Sequence, residues 1–264
     1  AFQDYKVAKG LFDSPWVGLD KFQELFAGAQ FGYAFRNTVY MALLNLTLGF
    51  IIPVILGLLI SQVRNKRRSR VVQTITYMPY FVAPVVVCTL AKEFLKEGGA
   101  ITMFLTMFGL PNQNWLAVNS PVFWFINCFL GIWQGAGYGA IVYIAAINGI
   151  DQNLYEAACI DGASRWQRLW NITIPSIVPL VVMMFTMQIG LVFMTGFDKV
   201  LLLYMPTTYE FSDCLSTYTY RMAFSSGNDF SLSTASGLLQ SIIGTLLLIF
   251  GNKMSEKATK MSLF

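Results

Sequence analysis

Apolar residues gather along the chain in five runs, at 35–63, 71–94, 122–147, 177–197 and 234–250, with charged and polar residues concentrated between them. Each run is about as long as a helix needs to be to cross roughly 30 Å of hydrocarbon. The pattern predicts an all-α polytopic membrane protein with five transmembrane helices. Ahead of them, Leu19, Phe22, Leu25 and Phe26 recur at helical spacing after a Ser14-Pro15-Trp16 turn. That spacing predicts a short interfacial helix, with Trp16 as its anchor at the membrane surface. The chain thus divides into an extracytoplasmic segment over 1–34 and a transmembrane domain over 35–264.

Charge placement orients the runs. Arg64-Asn65-Lys66-Arg67-Arg68-Ser69-Arg70 closes the first, and Lys253, Lys257 and Lys260 follow the last. Basic turns of this kind stay in the cytoplasm, so the visible amino terminus lies outside and the carboxyl terminus inside. Lys92, Glu93, Lys96 and Glu97 mark the outer end of the second run, because charges are costly at mid-bilayer. The net charge of +4 over 264 residues is absorbed by this topology; it implies membrane lipid as neighbour and no nucleic acid. Four cysteines, Cys88, Cys128, Cys159 and Cys214, show no paired spacing, and there is no histidine. Neither a disulfide framework nor a metal site is indicated, and the commonest general base is missing, against an intramembrane hydrolase.

Within the runs, Gly49, Pro53 and Gly57 predict a kink and a close neighbour in the first span. Pro79 and Pro84 break the second near Tyr80 and Phe81. Gly131, Gly135 and Gly139 form a doubled GxxxG ridge in the third, the spacing that lets two helix backbones approach. Trp133, Gln134 and Tyr138 occupy its other faces, and rings beside amides suit a sugar-lined cavity. With Tyr80 they are the candidate substrate path; interfacial belt residues are the alternative reading of the rings. Met183, Met184 and Met187 read as adaptable packing rather than metal ligands.

The most informative polar stretch is 151–175, DQNLYEAACIDGASRWQRLWNITIP. Asn153 with Glu156 predicts a capped helix, Gly162 its end, and Ser164 with Gln167 a second capping box starting a helix towards Asn171; Pro175 then opens the next span. Trp166, Leu169 and Trp170 share one face of that second helix. Periodicity alone fits an amphipathic loop lying on headgroups. The residues go further: Glu156, Ala157, Ala158, Gly162, Ile172 and Pro175 stand at the spacing E-A-A, three residues, G, nine residues, I-x-L-P, with Ile174 in place of the leucine. This resembles the EAA signature of membrane subunits of binding-protein-dependent ABC importers. FQDY and SPWVGLDKFQELF near the amino terminus, Phe108-Gly109-Leu110-Pro111 and the residues to Leu116, and Ser216-Thr217-Tyr218-Thr219-Tyr220-Arg221 resemble the lipoprotein/polysaccharide-permease branch that includes alginate importers.

The resemblance implies the transmembrane domain of a type I ABC importer, with a further span ahead of Ala1. It implies that 151–175 couples to a cytoplasmic ATPase. It also implies a second homologous permease, two ATPase subunits, an extracytoplasmic solute-binding protein and an oligosaccharide substrate. No GxxxxGK[ST] phosphate loop occurs, so no cofactor is expected in this chain; ATP and Mg belong to the partner ATPase. The resulting expectation is a transport subunit of a prokaryotic inner membrane, not an enzyme, importing oligosaccharides, including acidic ones such as alginate fragments. Competing readings are an ABC permease for amino acids or peptides and an ion-coupled secondary transporter; the second would want ionisable residues within its spans.

Overall fold

The computed structural model describes residues 1–10, 12–193, 196–225 and 229–259. It is helical almost throughout. Four helices are long and apolar enough to cross a membrane: Ala29–Ser61, Val122–Asn148, Arg165–Leu191 and Phe230–Glu256. A fifth candidate is the pair Lys66–Phe81 and Pro84–Thr106, bent by 91° at its break. The expected kinked span at 71–94 is therefore a right-angled break. Pro79 enters a 3-10 turn at Met78–Phe81 and Pro84 starts a new helix, since neither proline can donate to the preceding turn. The first helix of this pair begins inside the basic run, because Asn65 accepts from the backbone of Arg67 and Arg68.

The chain forms two compact units, 1–44 with 83–129 and 191–246, and 45–82 with 130–190 and 247–264. In the first unit, the amino-terminal segment folds back on itself through an antiparallel Gln3–Trp16 bridge, with Phe2 stacked on Trp16 at 5.7 Å. The helix Asp20–Ala27 follows; Leu25 is fully buried while Leu19 and Phe26 stay exposed. The first span begins at Ala29, earlier than its apolar run, because its polar residues find partners in 209–224. Asn37 donates to the carbonyls of Glu210 and Asp213, and Thr38 accepts from the backbone of Leu215 at 2.8 Å. At the centre Arg221 pairs with Asp213, donates to Gln30 at 3.1 Å and lies over the Tyr209 ring. Burial pushes the Asp213 carboxyl above its usual range, and the Thr217 hydroxyl and Arg221 oppose that rise. Thr217, Tyr218 and Arg221, three residues of the STYTYR element, are thus core residues of this unit.

In the second unit, two π turns each precede a proline: Asn45–Gly49 ahead of Pro53, and Leu169–Thr173 ahead of Pro175. A proline removes one helical donor and crowds the carbonyl four residues back, and a widened turn relieves both. Close packing is supplied by Gly57, where an added Cβ would lie 3.0 Å from the Tyr143 Cβ, and by Gly139, where it would lie 3.3 Å from the Pro53 Cβ. Ile60, Ala140 and Ile144 form the core there, with Leu56 against them. The GxxxG ridge is only partly used, since a Cβ on Gly135 would meet nothing. The tightest approach is instead at Gly137, where a Cβ would overlap the Thr76 carbonyl of the broken pair. Lys253 is exposed on the last helix; the Lys257 side chain, Lys260, and Met194 and Thr195 in the expected 177–197 span lie outside the described residues.

Candidate functional site

The stretch 151–175 folds as two short helices around one glycine. The first, Gln152–Ile160, is capped by Asp151, whose carboxylate accepts from the Asn153 backbone at 2.9 Å. The cap expected at Asn153 therefore sits two residues earlier, where a carboxylate offers the stronger acceptor to an unpaired backbone donor. Gly162 ends the helix at φ +77°, with its own N–H on the Cys159 carbonyl at 3.1 Å and the Ala163 N–H on the Ala158 carbonyl at 2.8 Å. This paired closure is a Schellman motif, and its left-handed residue is the one position that strongly prefers glycine. Ser164 and Gln167 then form the expected capping box. The second helix does not stop near Asn171. Arg165–Arg168 runs through the π turn directly into Ile174–Leu191, so the loop and the following span are one continuous helix.

Each signature residue takes a definite place. Glu156, Ala157 and Ala158 lie on the first helix; Glu156 is exposed and forms no hydrogen bond or ion pair among the described residues. Ile172 lies in the π turn, its carbonyl accepting from the Ser176 hydroxyl at 2.7 Å, and Pro175 lies in the first turn of the span. The first helix is tied to that turn by Tyr155, whose hydroxyl is 2.9 Å from the Thr173 hydroxyl. Four large apolar side chains of the stretch, Leu154, Ile160, Trp166 and Trp170, are exposed, with the two indoles edge to face at 6.0 Å.

The candidate path residues are brought together only in part. Tyr80, on the 3-10 turn, stacks on Tyr138 at 3.9 Å with 5° between planes, and both rings are nearly half exposed. Gln134 shares the Tyr138 helix face, is buried, and donates to the Val82 carbonyl at 2.8 Å. That carbonyl is left over by the break, since the Val86 N–H bonds Ala83 instead. Gln134 therefore supports the aromatic pair from behind rather than lining a surface. Trp133 is exposed but stands about 140° around the helix from Tyr138, so it belongs to another surface.

A model of the family described as "Binding-protein-dependent transport system inner membrane component" matches residues 49–260. The chain belongs to this family. Among curated relatives, the permease is 36% identical over 97% of its length to the polygalacturonan/rhamnogalacturonan transport system permease protein YteP of Bacillus subtilis (strain 168), covering 80% of that protein. It is 34% identical over its full length to the protein LplB of the same organism, covering 83% of it. Among solved structures, it superposes on a chain of a bacterial alginate ABC transporter in complex with an alginate pentasaccharide-bound periplasmic protein. There the TM-score is 0.87 and the identity 38%, over 93% of this chain and 85% of that one. The type I importer fold expected from the sequence is thus the fold of the permease.

Sequence reasoning missed three features of the permease's second unit. Gly137 lies off the regular GxxxG spacing, and its close neighbour comes from a distant part of the chain. The Tyr155–Thr173 bond joins residues of no special pattern. Arg165 and Arg168, which the face of Trp166, Leu169 and Trp170 leaves out, line a polar cavity with Arg64. The arginine spacing carried that last signal, because Arg165 and Arg168 are one turn apart and share a face.

Proposed function

We propose that this chain is one of a pair of permease subunits of an ATP-driven importer that moves acidic oligosaccharides from an extracytoplasmic binding protein across the cell membrane. In this reading, one of two ATPase subunits binds the exposed face of 151–175 in the cytoplasm. The observation that carries the reading is the geometry of that stretch: a capped helix, a Schellman turn at Gly162 and a capped helix continuous with a span, presenting exposed Leu154, Ile160, Trp166 and Trp170. An exposed apolar surface rimmed by polar residues marks a protein contact. The roles of Glu156, Ala157, Ala158, Gly162, Ile172 and Pro175 follow: Glu156 faces the ATPase, and the others set the bend and the entry into the span. ATP and Mg are bound by the partner, and nothing in the sugar is covalently changed by this chain.

Substrate class is supported by the relatives' names. Polygalacturonan, rhamnogalacturonan and alginate are all built with uronic acids, whose carboxylates and ring faces are common chemistry. Pyranose rings pack on aromatic faces, and the Tyr80–Tyr138 pair offers one such face beside the helix break. Broken helices line cavities because their freed backbone groups need polar surroundings. The path is accordingly assigned to Tyr80 and Tyr138, held by Gln134, with Trp133 on a separate surface that a second permease would complete.

Uptake kinetics of Tyr138→Ala and Trp133→Ala test the assignment. Losing one aromatic face is expected to lower uptake at limiting sugar by roughly 2–10-fold, corresponding to about 0.5–1.5 kcal/mol, in Tyr138→Ala. Trp133→Ala is expected to act less strongly. Unchanged uptake in Tyr138→Ala, with the complex assembled, would return the stacked pair to a packing role.

A further inference from the structure

The coupling role leaves one feature of the second unit unused. A cavity of about 620 Å³ opens beside the loop, and Arg64, Arg165 and Arg168 all line it together with Tyr155 and Thr173. Among the described residues no carboxylate lines it. Among the described residues none of the three arginines forms an ion pair. Arg168 is the least satisfied. Its Nη1 lies 2.7 Å from the Cys159 sulfur, a weak acceptor, and its Nε is shut off from solvent with no hydrogen-bond partner. The Nε atoms of Arg36 and Arg221 are in the same state, so what sets Arg168 apart is its place beside two further unpaired guanidinium groups on one cavity.

What the cavity can hold follows from its lining. Three guanidinium groups without a counter-charge select an anion, and their planar forks match the oxygens of a phosphate. Position narrows the source. The cavity reaches Ser61, where the apolar helix Phe50–Ser61 ends, and Leu169 and Thr173, where the apolar Ile174–Leu191 begins. Two membrane-crossing helices meet polar sequence at this level, which is the depth of phospholipid phosphates. Basic pockets between helix ends on the cytoplasmic side are suited to anionic headgroups.

We infer that the cavity formed by Arg64, Arg165 and Arg168 is a binding site for a phosphate group, supplied by the headgroup of an anionic phospholipid. A bound phosphate bridges the end of the first span, through Arg64, to the second coupling helix, through Arg165 and Arg168. Occupancy then stiffens the segment that carries motion into the membrane, so the lipid acts as a regulator of coupling and not as cargo.

The test uses the full chain with whatever subunits are extracted with it, and reads binding rather than transport. Native mass spectrometry of the complex, after exchange into mixed phosphatidylcholine and phosphatidylglycerol, is expected to show phosphatidylglycerol retained in preference. Arg168→Gln should retain it about tenfold less, the loss of one charge-assisted hydrogen bond. Should Arg168→Gln fail to accumulate, Arg165→Gln carries the same expectation, because that side chain is exposed and its loss opens no core. A parallel titration of lipid-stripped complex with inorganic phosphate separates the sources. Binding of phosphate that Arg168→Gln weakens, without lipid preference, would keep the phosphate site and assign it to the free anion. Equal retention of both lipids together with no phosphate binding would overturn the proposal. Protection of these arginines from chemical modification by an ATPase subunit would in that event assign the cavity to an acidic protein surface.

Discussion

Replacing Gly162 by valine is expected to leave the permease inserted and assembled while lowering binding-protein-stimulated ATPase turnover at least tenfold. The reason is local. Gly162 sits at φ +77°, and a Cβ there would meet nothing within 4 Å, so the substitution creates no clash with the rest of the molecule. Its cost is conformational: a left-handed backbone costs an L-residue roughly 1–2 kcal/mol, and a β-branched one more. The cheapest relief is to give up the two turn hydrogen bonds, Gly162 N–H to Cys159 and Ala163 N–H to Ala158, which set the angle between the two helices of 151–175. The folded spans are untouched, so the defect should appear in coupling alone. Gly162→Asn is the matched control, because asparagine tolerates this region; it should retain most of the turnover. Stimulated turnover of Gly162→Val equal to that of the unsubstituted chain would remove Gly162 from the coupling path.

Gly137→Ala is expected to prevent accumulation of folded permease, while Gly135→Ala is expected to be silent. The two glycines lie two residues apart on one helix and carry the same composition argument. Geometry separates them: a Cβ on Gly137 would overlap the carbonyl of Thr76 and crowd the Tyr77 nitrogen, both backbone atoms that cannot rotate away, whereas a Cβ on Gly135 meets nothing. Relief at Gly137 requires a whole helix to move, and the same helix is held by Gln134 to Val82 and by Tyr138 to Tyr80. Overpacking of this kind costs 1–3 kcal/mol or more in typical cores. Here it also strains the hydrogen bond that satisfies the helix break. Thermal stability of the detergent-solubilised chains checks the pair; a Gly137→Ala protein as stable as Gly135→Ala would mean that the helices do not approach as described.

Much of this architecture is written in local sequence. Turn chemistry at Gly162 and the Ser164–Gln167 box are decided by residues within a few positions, and both appear as read. The prolines likewise announced the break at 78–84. What periodicity does not encode is how a helix absorbs a proline: the π turns at 45–49 and 169–173 let the helix continue, which is why the second helix of 151–175 runs into the span instead of ending near Asn171. The cap moved from Asn153 to Asp151 because two competent caps lie within three residues, and the helix takes the one that lengthens it by two residues at no packing cost. Long-range contacts were invisible. Gly137 against Thr76, Gln134 against Val82 and Arg221 against Gln30 each depend on where a distant segment comes to rest. The same limit scattered the candidate path, since sequence spacing placed Trp133 beside Gln134 and Tyr138 without saying which surface the broken helix would cover.

The central claim, an importer permease driven by a separate ATPase through 151–175, is tested most directly by ATPase activity of the complex purified from its own membrane and reconstituted in lipid. Turnover is expected to be stimulated only when the binding protein and an acidic oligosaccharide are present together, and to be lost in Gly162→Val. A stable preparation lacking any ATPase subunit, whose sugar uptake follows an ion gradient, would contradict it.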